Sequence, residues 1–319
     1  MELQAKKTSS SSRFTLFGER YDKKETLQCY AMMSLQIIGF FVLTVYPILW
    51  AVRLAFFYYD GVISNTRFVG LENFVTMFTK DAAYWHTWLT TFEMAIYKLP
   101  IELPLAMIVA LLLNRNIKGI GFFRGIYYMP CIIGLAIVGV IFYNMFDVFG
   151  LVNAWITKVN PEYAADPISW FSNKWSAMFI ITAVGVWKTF GTNAIYFTAA
   201  LSNVPEELYE SARLDGASEW TMFWKITVPM IAPVLQMILL LSINGTLHTN
   251  EFIITLTNGG PAGLTHTVMS YIVSAYVPGF AQGSVNIGYG CAVSFVTSIL
   301  MAAIGVAYMK FSNRINSAY

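Results

Sequence analysis

Six apolar stretches, each about as long as a lipid bilayer is thick, constrain this chain more than any other feature. They fall at about 31–57, 89–113, 122–145, 176–201, 229–250 and 284–309, and a helix needs roughly 20 such residues to cross the hydrocarbon core. Isolated strands cannot satisfy their backbone groups in lipid, so all six are predicted to be helices. The composition agrees: 56% of the 319 residues are hydrophobic and 12% charged, against about 25% charged in a soluble domain. With 20 basic and 18 acidic residues the chain has too few charges to wet the surface of a globule of this size. The predicted fold class is an all-α membrane protein of six spans.

The second span is the most interrupted. Glu93, Lys98 and Glu102 lie in it beside Pro100 and Pro104, although its second half, LPLAMIVALLLN, is plainly apolar. Lys98 and Glu102 stand four apart on one helix face, the spacing of an intrahelical ion pair. Basic residues set the direction of crossing. Lys6, Lys7, Arg13, Arg20, Lys23, Lys24, Arg115, Lys118, Arg124, Arg213, Lys225, Lys310 and Arg314 fall on one side, and only Arg67, Lys80, Lys158 and Lys174 on the other. By the positive-inside rule both termini and the loops after spans two and four are cytoplasmic. The predicted organisation is a loosely ordered tail at 1–29, a membrane domain at 30–311 and a short tail at 312–319. The first span is read as its own targeting segment, with no cleaved signal peptide before it.

A net charge of +2 gives no reason to invoke nucleic acid, and Cys29, Cys131 and Cys291 are too scattered for a metal site or a disulfide framework. The outer loops, roughly 58–88, 146–175 and 251–283, are too short to hold an independent core.

The loop between spans four and five, NVPEELYESARLDGASEWTMFWKITVP at 203–229, is dense in charge. Asn203 and Glu206 have the spacing of a capping box, and Pro205 suits a first helical turn. A short helix is predicted to run to about Asp215, where Gly216 permits a left-handed cap, and Ser218 can cap a second short helix leading into span five. Leu208, Tyr209 and Ala212 would share one side of the first helix, rimmed by Glu206, Glu210 and Arg213. Such a knob, apolar at its centre and charged at its edge, suits a groove in a partner.

Glu210-Ser211-Ala212, then Gly216, Ile226, Val228 and Pro229 resemble the E-A-A-x3-G-x9-I-x-L-P signature of permease subunits of binding-protein-dependent ABC importers. Ser211 and Val228 are small or apolar departures from that signature. FVGLENFVTMF, LLLNRNIKGIGFFRGIYYMP and FIITLTNGGP extend the likeness, and together they resemble the maltose-type carbohydrate branch. The resemblance implies a type I importer permease in a bacterial or archaeal plasma membrane. It implies as partners an ABC ATPase dimer, a second homologous permease and an extracytoplasmic sugar-binding protein. It implies an ATPase-coupling role for Glu206, Leu208, Tyr209, Glu210, Ala212, Asp215, Gly216, Ile226 and Pro229. No G-x-x-x-x-G-K-[ST] loop occurs in the chain. A permease of this kind is no enzyme and binds no cofactor itself, ATP and Mg residing on the partner ATPase.

An ionisable residue near mid-bilayer needs a partner, a cavity or a shallow position. Lys188 is the clearest case, with Thr189, Thr192 and Asn193 on nearby turns. Span five is unusually polar at Ser242, Asn244, Thr246, His248, Thr249 and Asn250. By register from the loop signature, Lys188, Thr189, Thr192, Ser242, Gly245, Thr246 and Thr249 fall where the resembled maltose permease lines its sugar path, and Asn193 and His248 lie beside them. The alternative is that these groups bond to neighbouring helices. Lys188 has three candidate partners: Glu93, Glu251 or an acidic sugar. His248 lacks a second ligand at metal spacing, so no metal is expected.

Two other classes fit the residues less well. A membrane glycosyltransferase needs clustered carboxylates at an interface, whereas Asp60, Asp81, Asp147 and Asp166 are dispersed. A self-sufficient secondary transporter usually shows internal repeats and more spans. The sequence therefore favours a sugar-importing permease, with an oligosaccharide as cargo on resemblance alone.

Overall fold

The computed structural model describes residues 13–16, 19–114, 119–281 and 285–316. Lys6, Lys7, the Thr8–Ser12 tract, Arg115, Lys118 and residues 317–319 lie outside them. The N-terminal tail is expected to be loosely ordered, and its described part has regular structure. It forms an antiparallel hairpin, β1 (Arg13–Leu16) with β2 (Glu19–Asp22), and runs directly into α1 (Lys23–Phe40).

Among the described residues, six helical stretches are long and apolar enough to cross a membrane: 26–54, 82–113, 135–159, 174–201, 219–247 and 287–312. The first joins α1 to α2 (Tyr46–Leu54) through a π turn at Phe41–Val45, where the Tyr46 amide donates to the Phe41 carbonyl. Pro47 follows at once and brings no N–H of its own, so the widened turn is where the ladder adjusts. A short pairing of β3 (Phe57–Tyr58) with β4 (Arg67–Phe68) and a helix, α3 (Glu72–Thr79), lead to α4 (Ala82–Leu113). Asp81 caps α4 by accepting from the Tyr84 amide at 2.9 Å. Despite Pro100 and Pro104, α4 is continuous over 32 residues, because neighbouring helices can meet the backbone groups that proline frees.

The third span departs from the sequence reading. The stretch expected as one helix over 122–145 is two, α5 (Ile120–Ile132) and α6 (Leu135–Phe146), separated where Ile133 and Gly134 both turn extended. Glycine is a poor helix former, and Pro130 already weakens the last turn of α5. Next come α7 (Leu151–Val159) and α8 (Lys174–Leu201), whose first turn Asn173 caps through the Trp175 amide. In the connection Trp170 donates its indole N–H to Asn153 Oδ1 at 3.1 Å.

The charged loop holds α9 (Glu206–Leu214) and α10 (Glu219–Met222), then a π turn at Phe223–Thr227 that opens into α11 (Val228–Leu247). As in the first span, the π turn stands just before a proline, here Pro229. The chain ends through α12 (Glu251–Leu256), α13 (Val268–Tyr276) and α14 (Ile287–Asn316).

Three apolar clusters hold the bundle. Met77, Tyr84, Trp88, Val268 and Val293 join α3, α4, α13 and α14. Val138, Ile180, Ile181, Phe252 and Ile253 join α6, α8 and α12. Ala106, Ala110 and Ala194 are small enough to let α4 and α8 approach closely, and Phe197 and Ile231 fill the space beside α11. The first span stands apart, with none of its most apolar window buried within the chain.

Candidate functional site

The loop between α8 and α11 is a helix, a tight turn and a helix, built by local signals. Pro205 stands as the N-cap of α9 with no side-chain cap bond, so the capping box expected from Asn203 and Glu206 does not form. The chain leaves Asn203 in the turn that closes α8, where its amide donates to the Ala200 carbonyl. At the other end Asp215 is the C-cap, the Ala217 amide donates to the Ala212 carbonyl at 2.9 Å, and Gly216 has φ +76°. This is the left-handed closure that glycine allows at little cost. Ser218 accepts from the Thr221 amide and caps α10.

Glu206, Glu210 and Asp215 are exposed, and Ala212 is half-buried. Leu208 is exposed at the loop surface, whereas Tyr209 turns inward. Its hydroxyl meets Thr227 Oγ1 at 2.8 Å, and Thr227 is buried in the π turn beneath α11. Ile226 is half-buried in that turn, and Pro229 opens α11. The loop thus joins span five twice, covalently through Gly216 and by the Tyr209–Thr227 hydrogen bond. Arg213 and Glu219, 3.8 Å apart across the turn, are exposed and contribute at most about 1 kcal/mol. The sequence reading did not single out Leu214, Trp220 and Trp224, which are all strongly exposed beside the same turn.

The polar residues within the membrane separate into three groups. In the first, Lys98 and Glu102 form the expected pair at 3.4 Å, Lys98 Nζ donates to Thr246 Oγ1 at 3.2 Å, and Asn193 Nδ2 donates to Glu102 Oε1 and Ser242 Oγ at 2.8 and 3.0 Å. All five residues are buried. Asn193, Ser242 and Thr246 therefore spend their polar atoms on helix–helix bonds between α4, α8 and α11.

In the second, Lys188 meets neither Glu93 nor Glu251. Glu93 pairs with Lys174 at 2.7 Å. Lys188 Nζ instead donates to the Pro130 and Cys131 carbonyls at 2.9 and 2.8 Å.

The third group keeps access to its surroundings. Thr189, Thr192 and Thr249 are half-buried, while Gly245 and His248 are exposed. A Cβ at Gly245 would meet nothing within 4 Å. Thr189 and Thr249 bond back to the carbonyls of Gly185 and Gly245, and His248 Nδ1 lies 2.9 Å from the Asn244 carbonyl.

One cluster had no local sequence signal. Asp81 gathers the hydroxyls of Tyr289 at 2.8 Å, Tyr271 at 3.2 Å and Tyr276 at 3.3 Å. Burial and the neighbouring Tyr271 hold the Tyr276 phenol well above its ordinary range. The cluster ties α13 and the start of α14 to the cap of α4. Trp88 is buried against the same elements. Among the described residues no group of three His, Cys, Asp or Glu side chains is placed to hold a metal.

The family described as binding-protein-dependent transport system inner membrane component matches residues 102–317, about two thirds of the chain. The chain belongs to that family. The permease is also 30% identical over 285 residues to the lactose transport system permease protein LacF of Rhizobium radiobacter, covering 87% of this chain and 90% of that one. It is 29% identical to the arabinooligosaccharides transport system permease protein AraP of Bacillus subtilis, over 86% of this chain and 85% of that one. Its fold matches a chain of a bacterial ABC transporter involved in import of the acidic polysaccharide alginate, with a TM-score of 0.78 at 23% identity, covering 92% and 98% of the two chains. The permease is accordingly a multi-pass membrane protein with the fold of an ABC importer permease.

Proposed function

We propose that this permease is a membrane subunit of an ATP-driven importer that carries a sugar inward, with an oligosaccharide as the favoured cargo. The reading is carried by one observation: an exposed helix–turn–helix, closed at a left-handed Gly216, sits within the family-matched region and is fastened to span five at Tyr209–Thr227. A rigid knob at the base of a span can receive a push and pass it into the membrane. The relatives named for lactose and arabinooligosaccharides support a carbohydrate cargo.

In this reading the termini and the 203–229 loop face the cytoplasm, and an ATPase dimer receives the loop and holds ATP and Mg. A second permease completes the path, and an extracytoplasmic binding protein delivers the sugar. Thr189, Thr192, Gly245, His248 and Thr249 are the residues left free to face the cargo. Hydroxyl and imidazole groups suit sugar hydroxyls, and Gly245 leaves room for a ring. Asn193, Ser242 and Thr246 instead hold the helices that carry that face.

The test is to extract the tagged permease in mild detergent and identify its companions by mass spectrometry. A phosphate-loop ATPase and a second permease are expected. Recovery of the protein alone, under conditions that preserve other membrane complexes, overturns the reading.

A further inference from the structure

The last four carbonyls of any helix have no partner within it. In α5 these belong to residues 129–132, and the helix stops inside the membrane-spanning bundle, where water is scarce. Its own last turn has no basic residue to compensate. Lys188, 58 residues further on in α8, supplies what is missing. Its ammonium donates to the Pro130 and Cys131 carbonyls at 2.9 and 2.8 Å, and Cys131 Sγ donates back to the Lys188 carbonyl at 3.2 Å. A positive charge at this end also opposes the helix dipole. One turn further along α8, a Cβ on Gly191 would collide with the Tyr127 carbonyl, so the two backbones touch there. Between them, Lys188 and Gly191 fasten the final two turns of α5 to the middle of α8.

Beyond the break, α6 is fastened elsewhere. A Cβ on Gly139 would collide with Thr255 Oγ1 and come to 3.1 Å from the Phe252 carbonyl, so α6 lies backbone to backbone against α12. Where α6 and α12 meet α8 the contact is between side chains, such as Phe142 edge-on to Trp187 at 5.2 Å and Phe252 and Ile253 against Ile180, Ile181 and Val184. The two helices that stand where the sequence predicts one span over 122–145 therefore have different close partners, and Ile133–Gly134 lies between them.

We propose that Lys188 is a positioning residue that caps α5 from α8, making α5 and α8 one rigid unit and Ile133–Gly134 the pivot about which α6 moves together with α12. Two of the three ammonium donors are committed to this cap, so Lys188 acts on transport through α5 and not by holding the cargo. The mobile step rests on the importer reading. The cap does not.

Hydrogen–deuterium exchange on the whole assembly, purified in lipid nanodiscs, tests both parts. Lys188→Met is expected to speed exchange at the amides of residues 126–133 at least tenfold and to leave 135–146 unchanged. Lys188→Arg, which keeps the charge and the donors, is expected to stay within twofold of wild type. If Lys188→Met does not assemble, Gly191→Ala replaces it, since it pushes α5 off α8 with the lysine intact, and faster exchange at 126–133 is again expected. On adding ATP and vanadate to wild type, peptides 135–146 and 251–256 are expected to change together while 126–133 and 188–195 do not.

Equal exchange at 126–133 in wild type and the methionine variant overturns the cap, as does equal loosening by methionine and arginine. Peptide 126–133 changing in step with 135–146 overturns the pivot. If ATP and vanadate alter no peptide at all, the importer reading fails, and the comparison of lysine variants still decides the cap.

Discussion

Asn193 on α8 donates a hydrogen bond of 2.8 Å to Glu102 on α4 across 91 residues of sequence, and Glu102 also holds Lys98 at 3.4 Å. Glu102 is thereby the centre of the polar contact that joins three spans. Both charges are buried, so losing one leaves the other unpaired. Glu102→Ala is expected to lower stability by about 3–5 kcal/mol, read as earlier thermal aggregation of the detergent-solubilised protein. Removing both charges in Lys98→Met/Glu102→Leu is expected to recover most of that loss. Equal stability of wild type and Glu102→Ala contradicts the assignment.

Gly216 has φ +76°, yet a Cβ there would touch nothing. The need for glycine is therefore conformational and not one of space. Gly216→Val is expected to cost about 1–2 kcal/mol and to re-aim α9. Gly216→Asn, which tolerates the left-handed region, is expected to be close to neutral. Under the importer reading, the readout is the amount of partner ATPase that co-purifies: about tenfold less with valine and near wild type with asparagine. A bulky residue at Ala212, whose carbonyl closes the same turn, is expected to act as valine does.

Tyr209→Phe removes one partner of the buried Thr227 hydroxyl, a loss of about 0.5–1.5 kcal/mol. Thr227→Val is expected to cost a similar amount, and the double variant about the same as either single one. Thermal melts of the four proteins complete this cycle. Strict additivity of the two effects means that the 2.8 Å contact is not a coupling between α9 and span five.

His266 lies under the loop before α13. Its Nδ1 is 3.1 Å from Ser270 Oγ, the Tyr271 ring stands edge-on to it at 6.2 Å, and Gly259 presses against the imidazole. Burial holds its pKa below the usual 6.5. In the window below 6.5 the unfolded chain takes up a proton that the folded one resists, so stability is full above that pH and falls as pH drops through it. The protection of residues 259–276 against hydrogen exchange, taken relative to the intrinsic amide rate at each pH, is expected to fall between pH 7.5 and 5.5, and His266→Gln is expected to remove most of that dependence. Exchange in wild type that follows only the intrinsic chemistry of the amides refutes it.

Much of this architecture was legible before any coordinates. The six long apolar stretches, Gly216 at the turn, Ser218 as a cap and the Lys98–Glu102 spacing are all local signals, complete within a few residues. Asn203 and Glu206 misled, because a capping box needs a particular backbone at its first residue and Pro205 took the cap position. The break at Ile133–Gly134 was missed because an apolar run reads the same whether or not it is divided. Of the loop residues, Tyr209 was placed on an outer knob, and only its contact with Thr227, 18 residues away, turns it inward.

That the chain lies in a membrane as six helical stretches with one charged helical loop follows from the order of its residues alone. The transfer of side chains and peptide groups into lipid is a sum along the chain, and a sum over neighbours can be read in order. Which partner each buried polar group takes is set by the packing of distant segments: Lys188 meets two carbonyls instead of a carboxylate, and Asp81 meets a tyrosine 208 positions away. A hydrogen bond acts over about 3 Å of space, and nothing in the order of residues says which distant segment will arrive within that distance.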